Sequence, residues 1–213
     1  MIDRIVCLSY DKRQDSTIIE EFESRGWTTE RFLAGDGLIY PIEEYDYLDV
    51  DVEGRKQAYN YSECLKTILT TSKNLNHSNL LFLEDDAIIN KRYKDSFNEI
   101  FRITLNAVKD INWDMLYLGG NIQSATKLER ISDNVIKANY ILDMQATVFN
   151  KSCFDKILNI ESPSGRTIDG IIADKQKSGE IIALSCIPII ITQKANYSFN
   201  EMRNVDRSEN HVL

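Results

Sequence analysis

Short apolar runs and segments of helical spacing take turns along this 213-residue chain, and that alternation limits the folds open to it. RIVCLSY (4–10) has the composition of a buried strand. A polar turn follows, and then TIIEEF places apolar residues at 18, 19 and 22, the face of a short helix capped by Asp15 or Ser16. TTERFLAGDG (28–37) is a second strand ending at a Gly-flanked Asp36, and residues 38–54 are acidic, Tyr-rich and irregular, the composition of a loop. QAYNYSECLKTILTTS carries apolar or aromatic residues at 58, 61, 65, 68 and 69, which is helical spacing. A third strand runs into NLLFLEDDAIIN (79–90). SFNEIFRITLNAV is again helical, WDMLYLGG (113–120) is a strand ending in a glycine pair, and ANYILDMQATVFN (138–150) is one or two strands. KSCFDKIL and TIDGIIADKQKSG are helices, the second with a glycine stop, and EIIALSCIPIII is a late strand.

Strands alternating with helices predict an α/β domain with a central, mainly parallel sheet flanked by helices. Such sheets bind ligands at the carboxyl ends of their strands. Ser9 and Tyr10, Asp36, the acids at 84–86 and the Gly119-Gly120 pair all fall on that edge. With only three prolines, no internal repeat and no low-complexity linker, one domain is expected over residues 1–195, followed by a polar tail, 196–213, that leads on to further domains if the protein is longer.

The formal net charge is -8 and no Lys/Arg cluster stands out, which argues against nucleic acid as a partner. No stretch approaches the roughly 20 apolar residues of a membrane span. The N-terminal apolar run is too short for a signal peptide. Cys7, Cys64, Cys153 and Cys186 have no metal or redox spacing, and are expected to be reduced and structural, as in the cytoplasm.

Within NLLFLEDDAIIN, three consecutive acids, Glu84, Asp85 and Asp86, end a hydrophobic strand. Like charges placed there need a positive partner. Mg²⁺ and Mn²⁺ are hard ions that take carboxylate oxygens, often only one or two from the protein, while phosphates and water complete the shell. Alternation along an extended segment would put Glu84 and Asp86 on one side and turn Asp85 away, toward a helix N-terminus or a basic partner. The competing structural role is capping of the helix after residue 91, or a solvated loop.

The LLFLEDDA strand, the FLAGDG turn and helix before it, and the LSYDKR start together resemble the GT-A fold glycosyltransferases over roughly residues 2–195. The likeness is to the lipopolysaccharide-type branch and to the amino-terminal glycosyltransferase domains of chlorella-virus proteins, from large algal DNA viruses. The resemblance implies a nucleotide-sugar donor, such as UDP-glucose, held through an Asp-x-Asp-type motif and Mn²⁺ or Mg²⁺. Here the first motif position is Glu84, which departs from the strict pattern but keeps a carboxylate. Asp86 is then the metal ligand, with Glu84 facing the ribose or the metal shell and Asp85 beside the donor. Leu8, Ser9, Tyr10 and Arg13 would line the base and phosphates, and Asp36-Gly37 would sit near the base or ribose. Tyr61, Ser62 and Lys66 would face the donor. His211 is the one late histidine that could join the metal. The family also implies a glycan or glycoprotein acceptor and, for a viral protein, the host cytoplasm.

Other residues carry chemistry of their own. Asp169, at a helix start, is a base or orienting group for the acceptor hydroxyl, or an N-cap. Asp143 and Gln145 project from one extended segment and are placed to meet the sugar, as are Asn121 and Gln123 after the glycine pair. The polar Gln145 region favours retention at the anomeric carbon, since an inverting enzyme needs a strong base there. Trp113 is expected in the core, His77 in a turn, and Tyr40, Tyr45 and Tyr47 in a loop over the donor or acceptor. The leading expectation is a metal-dependent hexosyltransferase. The alternatives are a Mg²⁺-dependent phosphoryl-transfer or phosphatase-like enzyme and a noncatalytic sugar-binding module. The first of these places its acids after the first strand, whereas here they follow the third.

Overall fold

The computed structural model describes residues 2–10, 17–34, 52–123, 126–161, 167–194, 196–198 and 203–205. The chain opens with β1 (Arg4–Tyr10), α1 (Thr17–Glu23) and β2 (Glu30–Ala34), followed by α2 (Val52–Asn74). Next come β3 (Asn79–Glu84), β4 (Ala87–Ile89), α3 (Phe97–Val108) and β5 (Met115–Ile122). A hairpin, β6 (Leu128–Ser132) and β7 (Val135–Ala138), leads into β8 (Ile141–Asn150), α4 (Lys151–Leu158) and α5 (Ile168–Ser178). The last strands are β9 (Ala183–Cys186), β10 (Ile191–Gln193), β11 (Asn196–Ser198) and β12 (Arg203–Val205).

Eight strands form one mixed sheet in the order β2-β1-β3-β8-β5-β9-β7-β6. Parallel ladders join β1 to β2, β1 to β3, and β5 to β9, so that only β7 and β8 run against the other six strands. The sheet is therefore mostly parallel in direction, as the alternation of strands and helices predicts. Both faces are covered. On one, Leu80 and Phe82 of β3 pack with Leu65, Ile68 and Leu69 of α2, Phe154 and Ile157 of α4, and Ile168 and Ile172 of α5. On the other, Leu81 and Leu83 pack with Ile18 and Phe22 of α1 and with Phe97 and Phe101 of α3. Period-2 alternation within a wholly apolar run thus supplies both layers at once. All four cysteines are free and buried in these layers.

The differences from the sequence pattern have physical causes. The apolar run 181–191 divides into β9 and β10 instead of forming one strand, and β10 leaves the main sheet to pair antiparallel with β4. The strand β6 has no apolar alternation to announce it; it pairs only at the sheet edge and Leu128 is 49% exposed. The helix α2 begins at Val52, inside the stretch whose composition suggested a loop. Part of the polar tail forms an antiparallel pair, with Tyr197 opposite Asn204. Among the described residues, no helix is long and apolar enough to cross a membrane.

Candidate active site

The strand β3 carries Glu84 to the carboxyl edge of the sheet, where it lies opposite Leu8 of β1. The chain does not stay extended through the acid triplet. It turns at Asp85-Asp86 and re-enters as β4. Asp85 is 6% exposed, whereas Glu84 and Asp86 are half-buried. The residue that caps the next helical turn is Asn90, whose side chain accepts from the Arg92 N–H at 3.0 Å. β10 closes over the turn: the Lys194 N–H donates to the Asp86 carbonyl at 2.8 Å.

Both Glu84 oxygens are held by neutral donors. The Tyr61 hydroxyl of α2 donates to Oε1 at 2.7 Å, and Gln193 Nε2 of β10 donates to Oε2 at 3.1 Å. Burial, and then the Asp86 carboxylate, push the Glu84 carboxyl up to about 8; the Tyr61 hydrogen bond works the other way, and Asp143 and Asp169 add to the rise. Glu84 at the end of β3 therefore feels three other acidic side chains, from the turn after it, from β8 and from α5.

The route by which Asp143 arrives is particular. Because β8 runs against β3 and β5, its first residues lie where its neighbours end. Gly119 pairs with Ala146 and Asn121 with Leu142, so three β8 residues, 143–145, stand against Gly120 alone. Asp143 takes the left-handed conformation in this bulge, with φ of 60°. Outside glycine that conformation is uncommon, and Asp tolerates it better than most residues. Asp169 arrives differently, in the first turn of α5 after the N-cap Thr167.

Three buried polar side chains at this edge have no hydrogen-bond partner among the described residues. Gln145 is 0% exposed with both amide atoms unpaired; Ser9 of β1 and Ser62 of α2, 0% and 3% exposed, have unpaired hydroxyls. Leaving one such group unmade costs about 1–3 kcal/mol, and Ser9 and Gln145, which strand register sets next to Glu84, would be satisfied by a polar ligand there. The Gln145 amide lies against the glycine pair. A methyl group on Gly119 would stand 3.1 Å from Gln145 Nε2 and 2.3 Å from the Ile191 carbonyl oxygen.

The remaining candidates are distributed as follows. The Leu8 side chain is in the core at 2% exposure, on the strand beside Glu84. Tyr10 is the last residue of β1. Lys66 is partly buried, one turn beyond Ser62, and pairs with Glu63 at 3.5 Å. Asn121 and Gln123 are half-buried at and just beyond the end of β5. Trp113 is 6% exposed and its indole N–H donates to the Val108 carbonyl at 3.0 Å. Arg13, Asp36, Gly37, Tyr40, Tyr45, Tyr47 and His211 lie outside the described residues. Gln193, which grips Glu84, carries no signal in the sequence, because only the pairing of β10 with β4 brings it there.

Hard carboxylate oxygens under mutual repulsion suit a divalent cation. Among the described residues no three His, Cys, Asp or Glu side chains stand close enough to cage a metal alone. The edge fits an ion held by one or two protein carboxylates, with ligand oxygens completing its shell.

No family model matches the chain, and no curated protein matches it in sequence. Solved structures do resemble it in shape. One is A197 from STIV, 9% identical with a TM-score of 0.49, covering 96% of this chain and 95% of that one. Another is a glycosyltransferase involved in the glycosylation of the major capsid of PBCV-1, 11% identical with a TM-score of 0.49, covering 93% of this chain and 96% of that one. A third is a UDP-glucose pyrophosphorylase complexed with UDP-glucose, 8% identical with a TM-score of 0.47, covering 87% of this chain and 90% of that one. At these identities and TM-scores the likenesses assign no activity to the chain.

Proposed function

We propose that this chain is a metal-dependent glycosyltransferase that takes a hexose from a nucleotide-diphosphate donor, a UDP-sugar such as UDP-glucose, and passes it to a glycan or glycoprotein acceptor. One observation carries the reading: at the carboxyl edge of the sheet, burial and then the charges of Asp86, Asp143 and Asp169 hold the Glu84 carboxyl up at about 8. Like charges crowded in this way favour a positive ion among them, and a cation that brings an anionic donor would supply it.

Asp86 and Glu84 would hold Mn²⁺ or Mg²⁺. Once bound, such an ion neutralises charge on the departing diphosphate as the glycosidic bond breaks. Tyr61 and Gln193 fix the Glu84 carboxylate through one oxygen each, so that its direction is set before a ligand arrives. Ser9, Ser62 and Lys66 face the donor, with Leu8 closing the core behind them. Tyr10, Arg13, Asp36, Gly37 and Asp85 are assigned to the donor on the strength of the sequence resemblance.

The sugar then lies beside β8. Gln145 offers an N–H donor and a carbonyl acceptor, a pairing suited to sugar hydroxyls. Asp143 and Asp169 bring negative charge toward the positive charge that develops at the anomeric carbon. Either one can also accept the proton of the acceptor hydroxyl. The amide at Gln145, in place of a carboxylate, favours transfer with retention.

The deciding experiment is calorimetric binding of UDP and UDP-glucose, with and without Mn²⁺, to wild type and to Asp86→Ala. Binding that requires Mn²⁺ and disappears in the variant is the expected result. Absence of any nucleotide or nucleotide-sugar binding by wild type, with every divalent metal tried, would overturn the proposal.

A further inference from the structure

Gln176, in the last turn of α5, is 2% exposed and uses both ends of its amide. Its Oε1 accepts from the Ile141 N–H, the first residue of β8, at 2.8 Å. Its Nε2 donates to the Tyr117 hydroxyl of β5 at 2.8 Å. The second bond orients that hydroxyl, which itself donates to the Met115 sulfur at 4.0 Å. One side chain thus joins a helix to two antiparallel strands.

What those elements carry gives the joint its meaning. Asp169 lies seven residues before Gln176 on the same helix, two turns away and on the same face. Asp143 lies two residues after Ile141, in the left-handed bulge. The bulge loosens the ladder between β8 and β5 at the point where Asp143 must be held. Gln176 supplies a fixed point just before it. The Tyr117 hydroxyl feels both carboxylates, Asp169 more than Asp143, so the joint and the two acids belong to one neighbourhood.

We infer that Gln176 is a positioning residue: by tying α5 to the start of β8 through the Ile141 amide and to β5 through Tyr117, it sets where Asp169 and Asp143 stand relative to Glu84. This rests on the proposed reading of the carboxylates as the reaction centre. A buried leucine would fill the same space but satisfy neither partner. A joint of this kind acts on rate more than on donor affinity, because it places groups that meet the sugar and acceptor, not the nucleotide.

The test uses the full chain as wild type, Gln176→Leu, Tyr117→Phe, Asp169→Asn and the Gln176→Leu/Asp169→Asn double variant. Tyr117→Phe removes a single hydroxyl and serves if Gln176→Leu does not fold. Amide hydrogen exchange is measured first. Exchange should accelerate in peptides spanning 139–145 and 167–171 and stay at the wild-type rate in β1 and β2. With UDP-glucose turnover, Gln176→Leu should lower kcat about tenfold or more while the donor KM stays within about threefold. In the Asp169→Asn background the same substitution should cost less than about twofold, because its effect passes through that residue. Exchange that is unchanged, or raised evenly across the chain, overturns the inference, as does a kcat loss that is undiminished in the Asp169→Asn background. If wild type turns over no nucleotide-sugar, the glycosyltransferase reading fails, and the exchange pattern alone decides whether Gln176 fixes these two segments.

Discussion

The Tyr61 hydroxyl donates to Glu84 Oε1 at 2.7 Å, and this is one of two neutral hydrogen bonds that hold the carboxylate without cancelling its charge. Tyr61 also packs edge-on against Phe82, with ring centroids 6.0 Å apart, so the donor is anchored in the core. Tyr61→Phe keeps that packing and deletes only the hydroxyl. Proton binding to Glu84 then competes harder with metal binding, since the lost hydrogen bond favoured the charged form. Mn²⁺ affinity, followed by electron paramagnetic resonance, should fall roughly tenfold or more, with the melting temperature nearly unchanged. An unaltered affinity would remove Tyr61 from the metal-binding argument.

Glu84 itself predicts an unusual pH dependence. Burial and then Asp86 raise its carboxyl in the folded state to about 8, against an ordinary value of 4.5. The folded protein therefore binds the proton more tightly than the unfolded chain. The resulting stability is fully present below about 4.5 and is lost as pH rises toward about 8. Glu84→Gln removes the charge and with it this loss. Without metal, its melting temperature should exceed that of wild type by roughly 5 °C at pH 8.5, and the gap should close near pH 4.5. A melting temperature below wild type at pH 8.5 would show that the charged form is compensated in the folded state.

Gly119 is where β5 passes beneath the backbone of β10. A methyl group there would meet the Ile191 carbonyl oxygen at 2.3 Å, a backbone atom that cannot rotate away. Gly119→Ala must push β10 outward, and Gln193 leaves Glu84 with it. Overpacking of this kind costs about 1–3 kcal/mol. Thermal unfolding should show that loss, and Mn²⁺-dependent UDP binding should weaken in the protein that remains folded. Wild-type stability in Gly119→Ala would mean that β10 adjusts freely.

Much of this arrangement is legible in the residues, for identifiable reasons. Buried strands such as LLFL and amphipathic helices such as FNEIFRITLNAV are set by burial, which leaves period 2 or 3.6 in the sequence. Acids ending a strand place themselves at the carboxyl edge of a mostly parallel sheet. The reversed direction of β8 is not legible, because an apolar strand buried on both faces has the same composition either way. Yet that reversal is what brings Asp143 and Gln145 beside Glu84. Gln193 is hidden for a related reason: its role depends on β10 crossing to β4, and one glutamine after an isoleucine run announces nothing. Gly119-Gly120 is visible as a strand end, but the close backbone approach that requires Gly119 emerges only in three dimensions.

Asp114 tests whether stability and site can be separated. It stands just before β5, at the end of the sheet opposite the carboxylates, and its side chain is 2% exposed. Burial raises its carboxyl, but the Ile182 N–H at 2.8 Å, the Lys156 ammonium at 2.7 Å and the Ser152 hydroxyl at 2.7 Å outweigh that and leave it below the ordinary carboxylate range. The folded form therefore holds its proton more weakly than the unfolded chain. Its stabilisation is present above the unfolded pKa, about 3.9, and is lost as pH falls through the lower folded value. Asp114→Ala takes the side-chain acceptor from the Ile182 N–H, while Ser152 and Lys156 keep the Trp113 and Glu180 carbonyls, and should cost roughly 1–3 kcal/mol at pH 7. The difference from wild type should narrow in unfolding curves taken below about pH 4. Nucleotide binding per folded molecule should not change, because none of these partners reaches the carboxylate edge. If Asp114→Ala instead abolishes binding while the protein stays folded, the two ends of β5 are coupled, and the division between scaffold and site drawn from the sheet's geometry does not hold.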